Sequence, residues 1–250
     1  MNKLLHQLLR LSAFVIESGG EISRVEEGLS RMTAAYGAEE SHVYATTSQV
    51  SVTVVKDGEV RTQMCRPHRV SLDLDRLDRA NALVRRICAE MPDADEIARE
   101  IDVLRAKKVY PVVVTAPMTG AISAAFAAFF GARTVAEVLV ALVVGLLLGF
   151  LARFLARAKT NRILNSFLLS FLASLFAFLA TRAGLVPTPD FIVIGYIMNL
   201  IPGVGFTGAL RDLFVGDLFT GMSRILEAVL LAAAIAFGFV LTMLLFGGAM

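Results

Sequence analysis

Residues 199–217 read NLIPGVGFTGALRDLFVGD. The stretch begins inside an uncharged run long enough to cross a bilayer. It then carries Pro202, Gly203 and Gly205, with Arg211, Asp212 and Asp217 directly behind them. Proline lacks the N–H that an interior helical turn uses, and its ring clashes with the turn before it. Glycine lets the backbone leave helical geometry. The freed carbonyls and amides cannot face lipid, so they lie against protein or line a cavity that holds water. The stretch therefore predicts an interrupted membrane helix with charge at its edge.

Composition agrees. Hydrophobic residues are 56% of the 250 and the mean hydropathy is +0.67, too apolar for an ordinary soluble domain. Charge is concentrated at one end: residues 1–108 hold 16 of the 24 Lys and Arg and 17 of the 22 Asp and Glu. The expected organisation is a polar head over residues 1–108 and an apolar body over residues 109–250. Net charge is +2 and the basic residues of the head are matched by acids, which leaves no footprint for nucleic acid. Cys65 and Cys88 lie far apart without a CxxC pattern, which supports neither a zinc site nor a disulfide framework and predicts two reduced thiols. Near the start of the chain Arg10 interrupts a short apolar stretch and Glu17 ends it, with no small-residue cleavage site behind, so a signal peptide is not expected.

A membrane span takes about 20 apolar residues. Five segments qualify: 109–132; 134–152, with Glu137 near its outer end; 163–181; 191–210, which includes the break; and 225–246, with Glu227 near its start. An odd count puts the two termini on opposite sides. Arg105, Lys107 and Lys108 precede the first segment, Arg153, Arg157, Lys159 and Arg162 fill the link between the second and third, and Arg211 and Arg224 flank the link between the fourth and fifth. The opposite side has Arg133 and Arg182. The excess of basic residues on cytoplasmic loops then places the head in the cytosol and Met250 outside a cell (inner) membrane.

The head reads as a small α+β unit. Residues 4–18 and 21–36 show apolar residues at helical spacing, separated by Gly19 and Gly20 and closed by Gly37. SHVYATT and VSVTVV alternate and are β-branched, and Asp57-Gly58 supplies a hairpin turn before a returning strand through residues 61–64. Two further helices are expected at 73–89 and 93–107. About 108 residues suffice for a core of their own.

Three stretches, SGGEISRVEEGLSRM (18–32), CRPHRVSLDLDRLDRANALV (65–84) and IPGVGFTGALRDLFVGDLFTGMSRILEA (201–228), occur in this order. With a cytosolic head and five spans, the chain resembles the threonine/serine exporter family. It is similar to the split form in which this half is a separate polypeptide, the larger subunit of two-component succinate exporters. The resemblance covers nearly the whole chain, and the third stretch is its most specific part. It implies a second five-span half, fused in some members and a separate protein in others, and for the split pair an association with succinate export. It also implies that Glu21, Arg24, Val25, Glu26, Arg69 and Asn81 belong to the family pattern, as a hinge between head and membrane. One departure stands out: the family commonly has Asn after the Thr of the third stretch, whereas Gly208 follows Thr207 here. That departure implies a preference for a different solute.

Two readings of the broken span compete. In one it is a kink or re-entrant turn that packs the bundle. In the other, Asn199, Pro202, Gly203, Gly205, Thr207 and Arg211 form a substrate site, because interrupted helices present partial charges at their ends to polar substrates. A carboxylate would meet the N–H groups around residues 204–207. Asp212, Asp217, Arg224 and Glu227 are read either as coupling or gating groups or as interfacial ion pairs that fix the angle between spans, with Arg224 and Glu227 spaced to pair with each other. Thr115, Thr119 and Ser123 share one face of the first span, as a packing seam or as a polar wall. Asn161 and Asn165 are expected to cap the third.

In the head, Glu17, Glu21, Glu26 and Glu27 cluster, but His6, His42 and His68 show no ligand spacing, so a solvated face is expected rather than a metal or acid/base site. No GxxxxGK[ST] occurs, which excludes a nucleotide motor of that type. The combined expectation is an α-helical polytopic membrane protein with a cytosolic α+β head. It serves as one half of a secondary exporter of small polar solutes, serine and threonine first and succinate-like dicarboxylates second. The expected partners are the solute, the lipid bilayer and a second five-span membrane subunit, with a homo-oligomer as the other arrangement. No catalytic residue, metal or cofactor is expected. The rival from another class is a membrane-anchored enzyme or regulator that works through its head.

Overall fold

The structure, a computed structural model, describes residues 1–68, 72–106, 110–158 and 160–246. Arg69, Lys107, Lys108, Val109, Lys159 and Met250 lie outside the described residues. The chain divides into two compact units, Met1–Lys108 with Phe214–Thr220, and Val109–Leu213 with Gly221–Met250.

In the first unit, α1 (Asn2–Glu17) and α2 (Ile22–Ala35) are followed by β1 (Glu40–Ala45), β2 (Val50–Lys56) and β3 (Glu59–Cys65), then α3 (Leu74–Glu90) and α4 (Ala94–Ala106). The three strands form an antiparallel meander in the order β1-β2-β3, with Val52 opposite Val43 on one side and Gln63 on the other. Asp57 and Gly58 both have positive φ, 54° and 73°, as a two-residue hairpin turn of the mirror-image type requires. Along β2, Val50, Val52 and Val54 point inward and are buried. They meet Leu5, Leu8 and Leu11 of α1, Ile22 and Leu29 of α2, Ile87 of α3 and Ile97 and Ile101 of α4 in one apolar core. Each such side chain contributes roughly 1.5–3 kcal/mol by leaving water.

Polar side chains finish the helix ends of this unit. The carboxylate of Asp73 accepts from the N–H of Arg76 at 3.0 Å at the start of α3. Asp93 accepts from the N–H groups of Glu96 and Asp95 at the start of α4, and the bond from Glu96 is the main reason its carboxyl titrates below its ordinary value. A lowered folded-state pKa means that this cap stabilises at neutral pH and is lost as pH falls through the carboxylate range. Arg86 joins α3 to α4 by holding Glu90, Glu96 and Glu100 together.

The second unit contains α5 (Val112–Phe129), α6 (Val135–Arg157), α7 (Arg162–Arg182), α8 (Asp190–Ile197), most of α9 (Gly203–Val215) and most of α10 (Leu218–Phe246). Four of these helices, α5, α6, α7 and α10, are long and apolar enough to cross a membrane. The segment expected at 191–210 is two short helices, and neither half qualifies alone. The position of the break also differs from expectation. Helix α8 stops at Ile197 and α9 begins at Gly203, so the interruption is 198–202. Gly203 and Gly205 open the second helix instead of lying in the gap, and neither has positive φ. Pro202 accounts for the location, since a proline is compatible with the approach to a helix but not with its interior.

Close packing in this unit is built on glycine. A Cβ at Gly195 would stand 2.5 Å from the carbonyl oxygen of Ser123, one at Gly149 2.9 Å from the Cα of Ala116, and one at Gly120 2.8 Å from the carbonyl oxygen of Leu142. Helices α5, α6 and α8 therefore approach backbone to backbone, as small residues permit in membrane proteins. Gly238 of α10 makes the same approach to the Phe167 carbonyl of α7, and there Ser170 donates to the carbonyl of Ile235 at 2.7 Å.

The charge at the start of the second segment is explained by a cap. Glu137 is buried, and one of its oxygens accepts from the N–H groups of Arg133 and Thr134 while Thr134 accepts from the N–H of Glu137. Asn161 caps α7 through Ile163 N–H at 2.8 Å, as expected, but Asn165 does not cap, and its buried side-chain oxygen has no hydrogen-bond partner among the described residues.

Candidate functional site

The broken segment is where the second unit keeps polar backbone and side chains together. The carbonyls that end α8 are accounted for. Asn199 N–H donates to Tyr196, and Leu200 and Ile201 both donate to Ile197. The Asn199 side-chain amide reinforces the turn with long bonds of 3.3 Å to the carbonyls of Gly195 and Tyr196, and a shorter bond of 2.9 Å reaches the hydroxyl of Ser123 on α5. Ser123 is fully buried and donates in turn to the carbonyl of Thr119. Asn199 thus ties the break to the middle of the first span.

The other side of the break is open. Gly203 N–H donates to Ile201 and Phe206 N–H to Pro202, while the first-turn N–H groups of Val204 and Gly205 have no acceptor within their own helix, as at any α-helix start. Val204, Gly205, Phe206 and Thr207 are all exposed, and a Cβ on Gly203 would meet nothing within 4 Å among the described residues. A helix start of this kind carries a partial positive charge and favours an anionic group. Thr207 donates its hydroxyl back to Gly203 at 2.6 Å, leaving its oxygen lone pairs as acceptors.

Helical spacing divides α9 into two faces. Thr207 and Arg211, four apart, share the exposed face with Gly203. Gly208 and Asp212, also four apart, face α10. Asp212 is buried and accepts from Arg224 at 2.7 Å, and Gly208 leaves room for the same guanidinium, which stands 3.9 Å from where a Cβ would lie. The expected local pair of Arg224 with Glu227 is thereby corrected: Arg224 turns to α9, and Glu227 pairs with Arg162 at the first turn of α7, 3.2 Å away. The spacing rule failed because α10 begins at Leu218 rather than near 225, so Arg224 lies in a turn packed against α9. The α9–α10 corner is a Gly216 with φ 98°, and Asp217 caps α10 through the N–H of Thr220 at 3.1 Å.

The site residues named from sequence are thus distributed in three groups. Asn199 and Pro202 are in the break; Gly203, Gly205, Thr207 and Arg211 run along the exposed face of α9; Asp212 and Arg224 bind α9 to α10, while Glu227 binds α10 to α7 and Asp217 caps. Sequence reasoning did not place Ser123 and Arg162 in this set. The regular spacing of Thr115, Thr119 and Ser123 was a signal for the first, but nothing local could announce partners 76 and 65 residues away.

The glutamates of the head each have a local structural partner. Glu17 accepts from His68 N–H and pairs with Arg105, Glu26 accepts from Ala45 N–H, Glu21 pairs with Arg24 and Glu27 with Arg31. Among the described residues no group of three or more His, Cys, Asp or Glu is placed to hold a metal ion. Both cysteines are free and half-buried, and burial pushes the Cys65 and Cys88 thiols up, so they remain protonated at neutral pH.

A family model described as "Putative threonine/serine exporter" matches residues 6–246. No curated protein and no solved structure matches the chain.

Proposed function

The chain belongs to the threonine/serine exporter family, and on that premise we propose that it is the membrane subunit of a secondary exporter of small polar solutes, with serine and threonine as the leading substrates. The observation that carries this is the interruption at 198–202 followed by an open helix start at Gly203. Helix α8 is about 12 Å long and α9 about 20 Å at 1.5 Å per residue, so end to end they match a hydrocarbon core of about 30 Å. We read them as one interrupted span, the fourth of five. The basic residues then keep residues 1–108 in the cytosol and the C-terminus outside an inner membrane.

In this reading the substrate carboxylate meets the N–H groups of Val204 and Gly205, with Asn199, Thr207 and Arg211 around it. The Asp212–Arg224 and Arg162–Glu227 pairs act as gates, because each joins two helices that alternating access must separate. A partly open site suits one half of an inverted pair, the second five-span subunit supplying the other wall. Gly208, standing where the family commonly has Asn, gives its space to Arg224. That departure from the family pattern keeps succinate as the alternative solute.

Counterflow of labelled serine, threonine and succinate in proteoliposomes tests the proposal, with this chain alone and with its five-span partner. Saturable flux that needs both chains supports the two-component exporter and names its substrate class. Absence of flux in every pairing overturns it and leaves the anchored regulator.

A further inference from the structure

A cavity of 380 Å³ lies within the first unit, between α1, α2 and α3. Its size falls in the range of about 300–1,000 Å³ that holds small-molecule ligands. Its polar lining is Ser12, Arg24, Glu27, Arg31, Asn81 and Arg85, above an apolar floor that includes Val25 and Val84. Three guanidinium groups against one carboxylate make the lining basic.

Arg24 and Arg31 are held by pairs along their own helix, with Glu21 at 3.2 Å and Glu27 at 3.7 Å, and all but Glu21 are mostly exposed. Such pairs contribute little and exchange readily. Arg85 makes no ion pair or hydrogen bond among the described residues, and neither does the side chain of Asn81. Ser12 is 2% exposed and lines the cavity at the α1 side. Its hydroxyl can both donate and accept, so it can serve an oxyanion seated in the cavity.

We propose that this cavity binds a small oxyanion, the carboxylate or phosphoryl end of a metabolite, through Arg85, Asn81 and Ser12, with Arg24 and Arg31 supplying field. Guanidinium recognises carboxylate and phosphate alike by paired N–H donors, and the excess of positive charge selects a dianion over a zwitterion. The inference does not depend on the export reading, since the cavity lies outside the membrane-spanning segments.

The test uses the full chain in lipid nanodiscs. Arginine modification by phenylglyoxal, read peptide by peptide, is followed with sodium succinate, inorganic phosphate or L-serine present. Succinate or phosphate should protect Arg85, and the stronger of the two identifies the carboxylate or phosphoryl source. L-serine should bind about tenfold more weakly, the equivalent of one lost charge-assisted bond. In calorimetric titration Arg85→Ala, at an exposed position, should weaken binding about tenfold, and Ser12→Ala about fivefold. Equal modification of Arg85 with and without both dianions overturns the proposal, as does unchanged affinity in Arg85→Ala. Because the readout is local to Arg85, a failure of transport leaves this result intact, and solute binding at α9 cannot imitate it.

Discussion

The glycines of the α5–α6–α8 seam and the glycines that open α9 do opposite things. In the seam, Gly120, Gly149 and Gly195 are small because another backbone occupies the space of a side chain. At the start of α9, a Cβ added at Gly203 would meet nothing within 4 Å among the described residues, and one at Gly205 would meet only Pro202 at 4.0 Å. Neither needs glycine for its φ, which is helical. Close packing explains the first group entirely. For the second group no neighbour among the described residues accounts for the smallness; under the proposed function it serves what approaches from outside, a solute or the wall of a second subunit. The seam is scaffold, and the open helix start is surface kept clear.

The two regions differ also in how they are fastened, and that gives the largest effect. The far end of α9 is held to α10 by Asp212 and Arg224, whose side chains are 8% and 17% exposed. Asp212→Ala removes the carboxylate that holds a largely buried guanidinium and should cost about 3 kcal/mol. Thermal unfolding in detergent measures it. The double variant Asp212→Ala with Arg224→Leu should recover part of the loss, since removing both charges is cheaper than stranding one. Equal stability of Asp212→Ala and the parent would mean that α9 is not anchored there.

Next in size is Gly195→Ala. Its methyl group would collide with the backbone of Ser123, an atom that cannot swing aside, so overpacking should cost about 2 kcal/mol. An unchanged melting temperature would break the contrast between the two glycine groups, because the seam would then have slack. A smaller loss, about 1 kcal/mol, is expected for Ser123→Ala, which removes the acceptor of the Asn199 amide while that amide keeps its bonds to Gly195 and Tyr196.

How far these features were legible in the sequence follows from the distance over which they are specified. The hairpin turn at Asp57-Gly58 and the alternation of Val50, Val52 and Val54 are local, and the strands lie where those residues indicate. The break in the fourth segment was legible because Pro202 acts on its own backbone. Its limits were not, since glycine permits departure from a helix without requiring it, and Gly203 and Gly205 stayed helical. The ion pairs were the least legible. Arg224 had Glu227 at helical spacing, yet tertiary packing offered it Asp212 on the neighbouring helix. Charge spacing ranks candidate partners within one helix and is silent about those on the next.

The smallest expected effect on stability is also the one that decides what α9 is for. Gly203→Leu adds a side chain into open space and removes a residue of poor helix propensity from the first turn of α9. Surface substitutions of this kind fall within about 0.5 kcal/mol, so unfolding of the purified chain should be unchanged. Counterflow should nevertheless be lost, because the added side chain would cover the N–H groups of Val204 and Gly205 or hold off a partner subunit. These two causes separate in one further measurement: co-purification of the partner with the variant points to blocked solute, and its loss points to a blocked interface. Normal flux through Gly203→Leu would show that the clear space at the start of α9 serves neither, and the substrate site would have to be sought elsewhere in the bundle.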